Sequence, residues 1–273
     1  MTTSMHDDSA ILRGESLTLR YDAREITHGL DIAIPAGRIS IIVGPNACGK
    51  STLLRALSRL LAPSSGRVLL HGRDLRDWKA RDLARTMALL PQSSIAPQGI
   101  SVADLVSRGR YPHQSLLRQW SPEDERAVDA AMADTWISDL ADRPVHALSG
   151  GQRQRVWLAM TLAQDTPLVL LDEPTTYLDI AHQLELLDLC RHLNRTKGRT
   201  LVMVLHDLNL AARYADNMIA MKAGAIVATG TPAVVLTRER IAQIFGMDSL
   251  VMPDPVTGAP MVVPVSSQTG AYA

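Results

Sequence analysis

The sequence predicts an α/β fold: a parallel sheet interrupted by a helical insert. Short, nearly all-apolar runs at residues 39–43, 168–171 and 201–205 have the composition of strands buried on both faces, as in a parallel sheet. Helical patterns at residues 50–61, 180–193 and 208–215 alternate with them, and between residues 99 and 163 the pattern turns wholly helical.

The elements follow in order. Residues 15–21 alternate polar and apolar side chains and read as an exposed strand. Residues 30–34 alternate likewise, and Pro35-Ala36-Gly37 turns the chain into the buried run 39–43. A glycine-rich loop and a helix come next, the helix stopped by Pro63. Within the insert, residues 102–107, 122–133 and 152–162 carry helical spacing. Beyond the third buried strand, residues 217–222 and 225–229 read as a strand pair and 238–245 as a helix. The tail from residue 246 is rich in Pro, Val and Thr and reads as an appended strand pair. Neither an internal repeat nor a low-complexity tract is present.

Composition narrows the classes. A chain of 273 residues with 46% apolar side chains buries a real core and is not a disordered protein. Its 28 basic and 28 acidic residues cancel, so no nucleic-acid partner is expected. The two cysteines, Cys48 and Cys190, have no metal-finger or C-x-x-C spacing, and a reducing compartment is the simpler expectation. No apolar run of about 18 to 20 residues exists to span a bilayer. The first ten residues carry His6, Asp7 and Asp8 and lack a secretory signal. The expectation is a soluble cytoplasmic protein, or one docked on a membrane through other proteins.

The loop Gly44-Pro45-Asn46-Ala47-Cys48-Gly49-Lys50-Ser51-Thr52 fits G-x-x-x-x-G-K-[ST]. Successive backbone N–H groups and a helix N-terminus make a cradle for phosphate. Lys50 is expected to reach the β and γ phosphates, and the Ser51 hydroxyl to bind Mg²⁺. Chance supplies this pattern in roughly one chain of this length in a hundred; the strand before it and the helix after it make chance rarer still.

Residues 168–172 form an apolar run ending in Asp172, followed by Glu173 and Pro174. Two acids at a strand end usually mark a solvated loop. Beside a phosphate loop, Asp172 is placed to support Mg²⁺, directly or through water, and Glu173 to polarise an attacking water. Leu148-Ser149-Gly150-Gly151-Gln152 opens a helix that Ser149 caps. A capped helix start offers backbone donors and partial positive charge to a γ-phosphate.

These three motifs, in this order, resemble the ATP-binding cassette (ABC) family over almost the whole chain. The resemblance implies an ATPase built as a phosphate-loop parallel-sheet core with an antiparallel β subdomain and an inserted helical subdomain. It implies ATP and Mg²⁺ as ligands. Gln92 looks like the Q-loop glutamine, with a share in catalysis and in the metal site. Tyr177-Leu178-Asp179 looks like the D-loop, with Asp179 near nucleotide; His206 looks like the switch histidine, and Tyr21 like the aromatic that stacks on adenine. Ala47 departs from the glycine most members carry, a departure that a negative φ would accommodate.

In this family the site is shared between two cassettes. Lys50, Ser51, Gln92, Asp172 and Glu173 would act from one copy, and Ser149, Gly150, Gly151 and Gln152 from the other, so ATP holds a two-fold dimer together. Three uses of such a motor are open: the energising subunit of a membrane transporter, a cassette acting on ribosomes or DNA, or an accessory ATPase such as one in iron–sulfur assembly. One cassette without a long charged helix disfavours the second. Gly109-Arg110-Tyr111-Pro112-His113 lies in the region that in the family meets the permease. Residues 172–183 and 206–214 are similar to ferric-siderophore, haem and cobalamin importers, and the tail 253–264 is similar to ferric-siderophore ATPases. The resemblance therefore implies a siderophore-importer ATPase, with haem or cobalamin as second choices. Its partners would be a second copy of itself, permease subunits and, indirectly, a substrate-binding protein, at the cytoplasmic face of the inner membrane. The implied domains are a core of 1–97 and 164–245, a helical subdomain of 98–163 and an appendage of 246–273.

Overall fold

Strand β1 (Ala10–Tyr21) pairs antiparallel with β2 (Arg24–Pro35), with Leu12 opposite Ile34 and Leu17 opposite Leu30. The computed structural model describes residues 10–21, 24–92, 95–115, 119–176 and 178–265. Two units make up the chain: Met1–Asp77 with Val202–Ala273, and Trp78–Leu201.

In the first unit, β3 (Ile39–Val43) is buried at every residue and runs into the glycine loop and α1 (Lys50–Leu57). Helix α1 ends four residues earlier than its apolar pattern suggests. Ser58 closes it, and the N–H groups of Leu60 and Leu61 both fold back onto the Arg55 carbonyl at 2.8 and 3.1 Å. The chain leaves the helix there, ahead of Pro63. Strands β4 (Ser65–Leu70) and β5 (Arg73–Asp74) complete an antiparallel sheet of order β2-β1-β4-β5. This corrects the reading of residues 15–21 as an exposed strand. With neighbours on both edges, β1 buries Leu12, Leu17 and Leu19 completely.

The second unit opens with α2 (Ala80–Thr86) and β6 (Met87–Leu90). The insert supplies α3 (Val102–Ser107), α4 (Pro122–Asp134) and α5 (Gly150–Ala163). Ser101 and Ser121 cap α3 and α4, accepting from the N–H of Asp104 and Asp124. Arg110 is the buried tie inside this unit. Its Nε donates to Asp124 at 2.9 Å and its Nη1 to the Ala163 carbonyl at 2.8 Å. Strand β7 (Leu168–Asp172) is buried throughout and parallel to β6, and α6 (Ile180–Lys197) follows. Strand β8 (Thr200–Val204), also fully buried, carries the chain back to the first unit.

There, α7 (Leu208–Tyr214) precedes β9 (Asn217–Lys222) and β10 (Ala225–Gly230). Strand β9 lies parallel to β3, with Ile41 beside Met218, and antiparallel to β10. The parallel pairing explains the unbroken apolar runs: both faces of these strands are covered. Helices α8 (Pro232–Val235) and α9 (Arg238–Phe245) follow, and α9 ends at Gly246 with φ +69°. The tail is the expected strand pair, β11 (Ser249–Pro253) antiparallel to β12 (Pro260–Pro264). Among the described residues no helix is long and apolar enough to cross a membrane.

Candidate nucleotide-binding site

The loop after β3 needs its glycines. A Cβ on Gly44, whose φ is +154°, would lie 2.2 Å from the Met221 carbonyl oxygen. One on Gly49, at φ +105°, would meet Ile26 at 2.9 Å. Only a residue without a side chain lets the loop close this tightly on β9 and β2. Lys50 is buried, and its Nζ donates to the carbonyl oxygens of Gly44 and Pro45, each at 2.9 Å. The ammonium is therefore held inside the curl of the loop, where a phosphate would sit. Cys48 is buried beside it, and burial pushes its thiol pKa up.

Ala47 is a correction. Its φ is +58°, in the left-handed region, and not negative as the sequence reading required. The loop imposes that conformation on whichever residue stands there, and a methyl group makes it cost about 1 kcal/mol.

Two further members of the expected set lie in the first unit. His206 is exposed between β8 and α7, and the next residue, Asp207, caps α7 by accepting from the N–H of Asn209 and Leu210 at 2.8 and 2.9 Å. Tyr21 ends β1 opposite Arg24 and is 55% exposed, so its ring is available for stacking.

The second unit gathers the acids. Asp172 ends β7 and is buried. Glu173 adopts φ +52°, an uncommon conformation for a side-chain-bearing residue. Its Oε2 accepts from Gln92 Nε2 at 2.7 Å and from Thr176 Oγ1 at 3.2 Å. Thus Gln92, beyond the end of β6, and Glu173, beyond β7, meet although 81 residues separate them. Thr176 was missed in the sequence; a hydroxyl three residues after a candidate base was the available signal.

Ser149 caps α5 as expected, but the helix begins at Gly150, two residues earlier than read. The Gln152 N–H donates to Ser149 Oγ at 3.3 Å, and Gln152 Oε1 accepts from the Ser149 N–H at 3.1 Å, a reciprocal capping box. Gly151 packs against its own chain, its Cβ position lying 3.6 Å from His182 and Leu178. Gly150 is different: among the described residues outside its own helix, a Cβ there would meet no atom within 4 Å. Gln154 donates to the Pro174 carbonyl at 3.0 Å, joining α5 to the turn after Glu173.

Asp179 caps α6, accepting from the His182 N–H at 2.9 Å and the His182 ring at 2.7 Å, and the backbone bond above all lowers its pKa. Tyr177 lies outside the described residues. In the stretch Gly109-Arg110-Tyr111-Pro112-His113, Gly109 and Arg110 are buried while Tyr111 is 61% exposed. Gly109 and Arg110 therefore serve packing, and Tyr111 is the side chain left at the surface.

Among the described residues no group of three His, Cys, Asp or Glu stands ready for a metal ion. Magnesium rarely uses such a cage. It binds through one or two protein oxygens together with phosphates and water; Ser51 in the first unit and Asp172 in the second each carry a hard oxygen of that kind.

The ABC transporter family model matches residues 27–176. The chain is 52% identical over 261 residues to the ferric enterobactin transport ATP-binding protein of Escherichia coli (strain K12), with 96% of each chain covered. It is also 52% identical over 253 residues to the achromobactin transport ATP-binding protein of Dickeya dadantii (strain 3937), covering 93% of this chain and 94% of that one. Among solved structures, a metal-chelate type ABC transporter in an inward-facing conformation superposes with a TM-score of 0.81 at 27% identity, covering 94% of this chain and 98% of that chain. With more than half of its length matched by the family model and full-length relatives sharing half its residues, the chain belongs to the ABC transporter family and folds as an ATP-binding cassette.

Proposed function

We propose that this chain is the ATP-hydrolysing subunit of a ferric-siderophore importer. The full-length similarity to two siderophore-transport ATP-binding proteins is the observation that carries the reading. In this reading the chain sits at the cytoplasmic face of a membrane, bound to permease subunits, and a substrate-binding protein delivers the cargo from outside. The cassette itself does not touch the cargo.

The site residues take the following parts. The loop from Gly44 to Thr52 wraps the phosphates with backbone N–H groups, and Lys50 neutralises charge on the β and γ phosphates. Ser51 and Asp172, with Gln92, hold Mg²⁺, which when bound draws negative charge off the phosphate oxygens. Tyr21 stacks on adenine. Glu173 takes the proton of the attacking water, and Gln92 and Thr176 hold its carboxylate in place. His206 contacts the γ-phosphate. Ser149 to Gln152 act on the nucleotide of a second copy, with Asp179 near the same interface. The open space before Gly150 supports this, because packing among the described residues gives no reason to keep that position bare. Residues 98–163 form the helical subdomain, with the nucleotide core on either side of it and 246–273 appended.

Hydrolysis removes the contacts that hold the two copies together and lets them part, so chemistry becomes a cycle of closing and opening. The test has two arms. Glu173→Gln is expected to bind ATP, dimerise in size-exclusion chromatography and fail to turn over; full hydrolysis would remove Glu173 from the base role. A strain deleted for this chain is expected to lose growth on ferric siderophore as sole iron source and regain it with wild type but not with Glu173→Gln. Unimpaired growth there, with growth lost on haem or cobalamin instead, overturns the cargo and leaves the motor standing.

A further inference from the structure

We propose that the C-terminal strand pair β11–β12 is a brace that positions His206, acting through Asn209 and Arg213 of α7. The inference rests on the reading of His206 as the γ-phosphate contact. His206 sits in a short link between two elements. Behind it is the buried strand β8, whose following residue Leu205 donates to the Ile42 carbonyl at 3.2 Å. Ahead of it is the Asp207 cap of α7. Burial and the Leu205 hydrogen bond fix the strand end, so the placement of the helix bears directly on where the imidazole points.

Helix α7 has seven residues, too few to be stable alone. Tertiary contacts must hold it, and two of the polar ones come from the tail. Asn209 and Arg213 are one turn apart and share a face. The Asn209 amide pairs with β12 as a neighbouring strand would: Nδ2 donates to the Val262 carbonyl at 3.2 Å, and Oδ1 accepts from the Val262 N–H at 2.7 Å. Arg213 donates through Nε and Nη2 to Asp254 Oδ2 at 2.9 and 2.6 Å. Asp254 cannot swing, because its Oδ1 accepts from the N–H of Val256 and Thr257, both at 2.9 Å, and from Thr257 Oγ1 at 3.1 Å.

The brace is itself anchored. Ser249 and Val262 are buried, and Arg238 of α9 pairs with Asp248 at 2.9 Å, at the foot of β11. A strand pair that only filled surface would need no such two-point grip on one helix face. Displacing α7 from it breaks four hydrogen bonds. A shift of about 1 Å at a positioned group can cost up to a hundredfold in rate.

The experiment is a double-mutant cycle on the full chain. Asn209→Ala and Arg213→Ala are made in the wild-type and His206→Ala backgrounds, with Arg213→Lys as a milder variant that keeps the charge and loses the two-point bond. ATPase kcat, KM for ATP and melting temperature are measured for each. The expected result is a loss in kcat of about tenfold with KM within about twofold, a smaller loss for Arg213→Lys, and no further loss in the His206→Ala background. Equal losses in both backgrounds, or kcat unchanged in folded Asn209→Ala and Arg213→Ala, overturn the brace and leave His206 in its role. Wild-type turnover in His206→Ala overturns the reading of His206 and the brace with it.

Discussion

Gln92 Nε2 lies 2.7 Å from Glu173 Oε2, joining two residues 81 positions apart that follow neighbouring parallel strands. Thr176 Oγ1 reaches the same oxygen at 3.2 Å. One carboxylate oxygen of the proposed base is therefore held by two donors from its own unit, and the Glu173 backbone is turned into the left-handed region. A base oriented before substrate arrives loses less time to unproductive rotamers. Removing the base should cost about a hundred- to ten-thousandfold in kcat, the usual worth of general base catalysis. Thr176→Val removes one hydrogen bond, about 1 kcal/mol, and should lower kcat by roughly fivefold to tenfold; Gln92→Ala removes a hydrogen bond and a proposed metal ligand together and should cost more. Steady-state ATPase assays check both; no change in Thr176→Val would show that its hydroxyl does not orient Glu173.

Gly150→Ala separates packing from function. A methyl there meets nothing among the described residues outside its own helix, and alanine in a helix is favoured over glycine by about 0.5–1 kcal/mol. The variant should melt at the same temperature or slightly higher while its ATPase activity and ATP-dependent dimerisation fall. Thermal melting and size-exclusion chromatography with Glu173→Gln in the same chain measure the two effects. Wild-type dimerisation would argue against contact between this position and a second copy.

Ala47→Gly should stabilise the protein. At φ +58° the alanine carries backbone strain of about 1 kcal/mol, more than the flexibility glycine adds to the unfolded chain. A small rise in melting temperature, about 1 °C, is expected from calorimetry, with ATP binding retained. A fall would mean the loop relieves the strain in another way.

The Arg213–Asp254 link makes acid stability a readout of the tail. Three donors from Val256 and Thr257, with the Arg213 guanidinium, hold the Asp254 pKa down to about 2 against an ordinary 3.8. Because the folded value lies below the unfolded one, this contribution is complete above about pH 4. It is lost as the pH falls toward 2. Asp254→Asn should remove it, so that denaturant midpoints of variant and wild type differ most above pH 4 and converge near pH 2. A constant difference across that range would place the effect of Asp254 elsewhere than in its charge.

Several elements were open to the sequence because their causes are local. The phosphate loop, the apolar strands before Lys50 and Asp172, and the Ser149 cap depend on neighbours within a few residues. Glycine for a tight turn, unbroken apolar runs for doubly covered strands and a hydroxyl at a helix start can all be read along the chain. The order of these motifs was enough to indicate the cassette, and the family match agrees. What the sequence could not decide depends on partners far along the chain. Residues 15–21 alternate as an edge strand would, and only the pairing of β1 with both β2 and β4 buries Leu17 and Leu19. Ala47 reads as harmless until the loop, packed on the Met221 carbonyl, dictates its φ. The tail reads as an appendage until Asn209 and Arg213 meet Val262 and Asp254. Register and side-chain meeting points across 40 or 80 residues are set by how sheets and helices pack. No local pattern encodes them, because each partner alone satisfies its own hydrogen bonds equally well in water.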